Sequence, residues 1–242
     1  MLIIPAIDII DGKCVRLRQG DYDQKTVYAA TPAEVAKQFA EAGFTFLHVV
    51  DLQGAKEKKI VNWESIASII AIPGLHVEVG GGIRTTDDIK KLLEIGASRV
   101  VIGSVAAKSP ELVEYWMKQF GAEKIVIGMD VKDNSVAISG WLEDSHRAPM
   151  GFILDLAKRG AKIFICTDIS RDGMLDGVNI DFYQNLKSAF PKLSFIASGG
   201  ISTLDDVRVL RKSDLAGIIV GKAIYENRLP IDELAAMNGA AC

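Results

Sequence analysis

The sequence predicts a single (βα)8 barrel over residues 1–242, built from two similar halves of about residues 1–120 and 121–242. Three observations predict it. Short apolar, β-branched runs recur eight times, each followed by a turn and a segment of helical period. The runs are continuous rather than alternating, as expected of parallel strands covered on both faces. Segments also repeat in order: GGIRTTDDI (81–89) returns as GGISTLDDV (199–207), and RVVIGS (99–104) as GIIVGK (217–222), both 118 residues on. IIPAIDIID (3–11) resembles IVIGMDVKD (125–133) at an offset of 122.

In order, the expected strands are LIIPAI (2–7), FLHVV (46–50), HVEV (76–79), RVVI (99–102), KIVIGM (124–129), IFIC (163–166), SFIA (194–197) and GIIV (217–220). Between them, PAEVAKQFAEAG (32–43) and TTDDIKKLLEIG (85–96) have amphipathic helical spacing. In the second, Thr86 is the expected cap, acids follow in the first turn, and Gly96 ends the helix. Unbroken βα alternation with eight strands favours closure; an open doubly wound sheet is the alternative. Strands four apart in a barrel face each other, so the repeat implies a pseudo-twofold axis.

Composition narrows the function classes. A hydrophobic fraction of 49% supplies a core, and the net charge of −3 gives no general grip on nucleic acid or an anionic membrane. Cys14, Cys166 and Cys242 are scattered, and neither they nor His48, His76 and His146 show disulfide or metal spacing. The N-terminal run lacks the basic lead of a signal peptide, and no apolar run reaches the roughly 20 residues of a membrane helix. The expectation is a soluble cytoplasmic monomer that needs no obligate protein partner, nucleic acid or membrane.

Chemistry concentrates at the strand ends. Gly80-Gly81-Gly82 and Gly103-Ser104 have the counterparts Ser198-Gly199-Gly200 and Gly221-Lys222. Glycine lets backbone N–H groups converge on a ligand, and a helix start favours an anion there. The loops after the last two strands are the usual phosphate site of such a barrel. Tight βα turns would also need glycine, but the pattern occurs twice and points to a ligand with a phosphate at each end. Asp8 and Asp130 occupy equivalent places at the ends of opposed strands, where an aspartate needs a partner or a task. Two such carboxylates can serve as general base and general acid.

Asp51 and Asp168 read equally well as caps or ion-paired residues. DISRDGMLDG (168–177) has the make-up of a mobile loop from which Arg171 or Asp172 swings over a ligand. Trp141 either stacks on a flat ring or packs on the rim. Arg16, Arg18 and Arg84 lie near strand ends, where an arginine can bind phosphate or close a lid, although surface arginines usually do neither. His48 reads as a satisfied core or rim residue and Cys166 as buried and inert.

With these residues located, the chain resembles the phosphoribosylformimino-aminoimidazole-carboxamide ribotide (ProFAR) isomerases of histidine biosynthesis, which are (βα)8 TIM barrels. The resemblance runs from PAIDIIDGKCVRLRQGDY (5–22) through HVVDLQGA (48–55), VGGGIR (79–84), VIGS (101–104), SGW (139–141), CTDISRDG (166–173) and SGGI (198–201) to VGKAIYE (220–226). It implies an Amadori rearrangement of an aminoaldose to an aminoketose, on a substrate with two phosphoribosyl ends and without metal or organic cofactor. It implies Asp8 as proton acceptor and Asp130 as donor, with Thr167 and Asp172 also in the acid–base work and the donor's division between Asp130 and Asp172 open. It implies substrate or phosphate contacts from Gly81, Gly82, Arg84, Gly103, Ser104, Trp141, Gly173, Gly177, Gly199, Gly200, Gly221 and Lys222. Leu142 and residues 143–150 depart from the family's pattern, so contacts there are not carried over. The sister cyclase of the pathway is the nearest rival; Ala6 and the Arg16/Arg18 stretch stand where it has a cysteine and a lysine. A dual isomerase that also accepts phosphoribosylanthranilate is a second rival, and a non-catalytic phosphate-ligand binder a third, against which the Asp8/Asp130 pair argues.

Overall fold

A computed structural model describes residues 1–18, 20–175 and 177–239, with the side chain of Arg18 left aside; Cys242 and the Arg18 side chain therefore lie outside the described residues. The strands are β1 (Leu2–Ile10), β2 (Lys13–Arg18), β3 (Asp21–Val27), β4 (Phe46–Asp51), β5 (His76–Gly80), β6 (Arg99–Ile102), β7 (Ile125–Lys132), β8 (Ser135–Ile138), β9 (Glu143–Asp144), β10 (Ile163–Asp168), β11 (Ser194–Ser198) and β12 (Gly217–Val220). The helices are α1 (Pro32–Glu41), α2 (Leu52–Glu57), α3 (Trp63–Ile70), α4 (Thr86–Glu94), α5 (Ser104–Lys108), α6 (Pro110–Phe120), α7 (Pro149–Lys158), α8 (Ile180–Ala189), α9 (Leu204–Arg211), α10 (Lys222–Tyr225) and α11 (Ile231–Met237). Parallel pairing runs β1–β4–β5–β6–β7–β10–β11–β12 and returns to β1, where Leu2–Pro5 pair with Gly217–Val220. The ring is closed, so the open doubly wound alternative is excluded.

Alternate residues of each strand point inward. Ile4, Ala6, Val126, Ile165, Ile196 and Ile219 fill the barrel. Their neighbours, such as Ile3, Ile7, Leu47, Val49, Ile127 and Phe164, pack outward under the helices. This two-sided burial is why the runs read as continuously apolar.

Two of the expected strand ends are corrected. Asp8 and Asp130 do not close their strands: β1 and β7 each run on for two residues, then turn back as antiparallel β2 and β8. The two hairpins match in register, Asp8 facing Val15 and Asp130 facing Ala137. Both turn through two left-handed residues, Asp11-Gly12 (φ 51° and 70°) and Asp133-Asn134 (φ 49° and 61°), the geometry that suits a two-residue hairpin.

The cap of α4 is Thr85, whose hydroxyl accepts from Asp88 N while Asp88 reaches back to the Thr85 N–H. Thr86, the expected cap, instead accepts from Trp116 Nε1 at 2.9 Å. Thr203 and Asp206 form the same box on α9.

Candidate active site

The inward file of β1 runs Ile4, Ala6, Asp8, and that of β7 runs Val126, Gly128, Asp130. Apolar residues low in the file seal the barrel, and the third place opens into one cavity at the mouth, of about 1580 Å3 with its open side included. Asp8 and Asp130 therefore occupy matching positions on strands four apart in the ring, and both line the cavity.

Their surroundings differ. The β2 hairpin folds Arg16 back so that Nη1 donates to Asp8 Oδ2 at 2.5 Å, while Nη2 donates to the Ala6 carbonyl. The guanidinium also lies 4.7 Å from the centre of the Tyr225 ring. Burial disfavours the Arg16 charge, but Asp8 and Tyr225 outweigh it, and the net shift of its pKa is upward. Arg16 is thus not a surface arginine: it is 7% exposed, and its partner is the candidate base.

Asp130 takes a hydrogen bond from Trp141 Nε1 at 2.7 Å and another from Thr167, its neighbour across the β7–β10 pairing. Burial still raises its pKa above the usual carboxylate value, against the two hydrogen bonds and the nearby His48. Asp172, in the turn after β10, lines the same cavity. Burial, then the facing charge of Asp8, pushes its pKa from 3.8 to about 7; Asp130 adds to this, and Arg16 and Lys222 oppose it. Three carboxylates thus converge, and at neutral pH one of them holds a proton part of the time. The Trp141 indole also lies on the backbone of Gly20, where an added Cβ would come within 2.2 Å of the ring.

The glycine loops are equally specific. Gly81 and Gly199 hold φ of 92° and 91°, and a Cβ there would meet the backbone oxygen of Asp51 at 2.2 Å or of Asp168 at 2.8 Å. A Cβ on Gly82 or Gly200 would meet the oxygen of Lys59 at 2.4 Å or of Gly177 at 2.3 Å. At α4 and α9 the side chains of Asp88 and Asp206 take the N–H groups leading into the helix, those of Arg84 and Thr85 and of Ser202 and Thr203. By contrast, α5 and α10 start at Gly103 and Gly221 without any side-chain cap. The Gly103-Ser104 and Gly221-Lys222 turns thus offer uncapped N–H donors to an anion, and the double-glycine loops line the same cavity.

The halves carry a cation at swapped places: Arg84 and Ser104 in one half correspond to Ser202 and Lys222 in the other. Arg84 Nε is buried without a hydrogen-bond partner among the described residues, and burial lowers the group's pKa against Glu143. Lys222 Nζ donates to the Gly173 carbonyl at 2.8 Å, linking the second glycine turn to the loop that holds Asp172.

The remaining sequence-based candidates resolve differently. Asp51 is fully buried and accepts from the N–H groups of Gly54, Val61 and Asn62 and from the Asn62 amide, so it is a structural cap. Asp168 accepts from Ser170 and Asn179 and orders its own loop. Gly177 (φ 86°) does not line the cavity; its carbonyl supports Gly200 and accepts from Arg171. Burial pushes both Cys14, to about 11, and Cys166 up, as inert thiols require. His48 and Tyr22 are among the cavity residues not singled out from the sequence as functional. His48 lines the floor, and Tyr22, inside the 5–22 stretch, donates to the Leu52 carbonyl at 2.9 Å. Among the described residues no group of three or more His, Cys, Asp or Glu is placed to hold a metal, and no helix is long and apolar enough to cross a membrane.

Comparison with known proteins agrees with this geometry. A protein of Flavobacterium johnsoniae named 1-(5-phosphoribosyl)-5-((5-phosphoribosylamino)methylideneamino) imidazole-4-carboxamide isomerase is 46% identical over 234 residues, covering 97% of this chain and 98% of its own. Proteins of the same name from Bacteroides thetaiotaomicron and Streptococcus sanguinis are each 47% identical, over 232 residues (96% of this chain, 97% of theirs) and 234 residues (97% of each). A family profile described as histidine biosynthesis protein matches residues 2–230. With a profile match across almost the whole barrel and relatives aligned end to end, the chain belongs to the histidine biosynthesis protein family.

Proposed function

We propose that this chain, as one catalytic domain of two half-barrels, isomerises the bis-phosphoribosyl aminoaldose named in its relatives to the corresponding aminoketose (ProFAR to PRFAR). The observation that carries the reading is the convergence of Asp8, Asp130 and Asp172 in one cavity between two matched glycine turns. A substrate with a phosphate at each end spans the mouth from Gly81, Gly82, Arg84, Gly103 and Ser104 to Gly199, Gly200, Gly221, Lys222 and Gly173. The reacting ribose is thereby centred on the carboxylates, so remote binding energy orients it.

In this mechanism an acid protonates the ring oxygen as the furanose opens to the imine, and a base then removes the proton from C2. The resulting enolamine tautomerises to the aminoketose. Asp8 is the base, held in place by Arg16. The donor comes from the pair Asp130 and Asp172, whose pKa values are both raised, and Asp172 is the member that carries a proton near pH 7. Thr167 and the Trp141 indole hold the Asp130 carboxyl, and Trp141 turns its ring to the substrate once a ligand enters. No step calls for a cofactor.

Offering the purified protein ProFAR and phosphoribosylanthranilate separately tests the reading. Turnover of the first alone is expected. Turnover of both would make the chain a dual isomerase, and turnover of neither would remove the proposal.

A further inference from the structure

The two halves share their strand and glycine-turn pattern, yet inside the barrel the first half carries a cluster of charged and polar side chains that the second lacks. In the first half, His48, Glu78 and Arg99 are neighbours across three adjacent strands, β4, β5 and β6. The equivalent neighbours across β10, β11 and β12 are Ile165, Ile196 and Gly217. Apolar residues thus suffice to fill this level of the barrel, as the second half shows. The first half instead buries a carboxylate completely, with Glu78 0% exposed, a costly arrangement unless it is paired.

The pairing is directional. Arg99 Nε donates to Glu78 Oε2 at 3.0 Å, Nη2 lies 2.9 Å from the same oxygen, and the guanidinium is stacked 4.3 Å from the centre of the Phe46 ring. Glu78 Oε1, the other oxygen, lies 2.8 Å from His48 Nδ1. A carboxylate only accepts, so the proton of a neutral His48 sits on Nδ1. The ring lines the cavity floor, which leaves Nε2 as the nitrogen available there.

We propose that Glu78, anchored by Arg99, is a positioning residue that fixes His48 in the Nδ1–H form. Nε2 is thereby presented as an acceptor for a hydroxyl of the reacting ribose. The use of that acceptor rests on the isomerase reading of the cavity; the tautomer does not. An imidazole acceptor orients the sugar without adding negative charge beside a ligand that carries two phosphates.

The test has two arms. With ring-15N histidine labelling, only three resonance sets arise, from His48 and the exposed His76 and His146. At pH 8 the wild-type His48 is expected to carry its proton on Nδ1 with Nε2 bare; a ring protonated mainly on Nε2, or on both nitrogens, overturns the proposal whether or not the protein turns over ProFAR. The second arm is kinetic. In E78Q the amide donates to Nδ1 and forces the Nε2–H form, so kcat is expected to fall about tenfold to a hundredfold with KM within about threefold. Added to H48A, E78Q is expected to change nothing further. An equal loss of kcat in both backgrounds would show a structural role for Glu78 and refute the inference.

Discussion

Replacing Asp172 by asparagine is expected to make the protein more stable and less active at once. Burial and the facing Asp8 displace the pKa of this carboxyl from 3.8 to about 7. At 1.36 kcal/mol per pH unit, that corresponds to about 4 kcal/mol lost on folding when the group must be ionised. Asp172 is only partly buried and coupled to two other carboxylates, so solvent screening reduces this to about 2 kcal/mol.

The pH dependence follows from the sign of the shift. Below about 4 the group is neutral in both folded and unfolded chains and contributes nothing. Between 4 and 7 the unfolded chain ionises first, so wild-type stability falls as pH rises, and above 7 the full deficit remains. Asparagine cannot ionise, so the variant gains nothing at pH 4 and about 2 kcal/mol at pH 8, worth roughly 4–8 °C in Tm for a chain of this size. Thermal denaturation of both proteins at the two pH values reads this directly, while kcat with ProFAR is expected to fall by about 10²-fold or more. A variant no more stable than wild type at pH 8 would refute the idea that Asp172 bears a desolvated charge.

Asp8→Asn and Asp130→Asn should each reduce kcat by about 10²–10⁴-fold while substrate still binds, as measured by turnover and by ligand-induced change in Tm; near-normal activity in Asp8→Asn would remove the base assignment. The kcat of the wild type should decline as pH rises through about 7, as the Asp172 proton is lost, and a flat profile from pH 6 to 9 would count against a protonated donor. Arg84→Ala should raise KM with less effect on kcat, because Arg84 lines the cavity and its buried Nε has no hydrogen-bond partner among the described residues, as suits a group kept for an anion. Gly81→Ala should cost about 3 kcal/mol or more in denaturant unfolding, since alanine must hold φ near 92° with its Cβ against the Asp51 carbonyl.

Much of this was legible in the linear chain because it depends on periodicity and repetition. Continuous apolar runs specify strands buried on both faces, and eight of them in βα alternation specify a closed ring. The repeated GG and Asp positions mark the mouth, because only particular backbone angles or a buried carboxylate's task require those residue types there. Local sequence says little, however, about where a strand stops or which side chain reaches which. The hairpins after Asp8 and Asp130 lie in segments whose polar residues read as loop; they become strands because β1 and β7 extend past the barrel rim and supply unpaired edges. The choice of Thr85 over Thr86 as cap depends on which hydroxyl Trp116 claims.

What the sequence determines by itself is therefore the architecture, the paired glycine turns and the identity of the two opposed aspartates, all of which follow from spacing along one chain. Tertiary structure alone decides the protonation chemistry. Arg16 reaches Asp8 only because a hairpin folds back, Asp172 faces Asp8 across the mouth and meets Asp130 only through the β7–β10 pairing, and Glu78 fixes His48 only through adjacent strands. A pKa depends on burial and on charges brought within a few ångströms, and neither exists until the barrel closes.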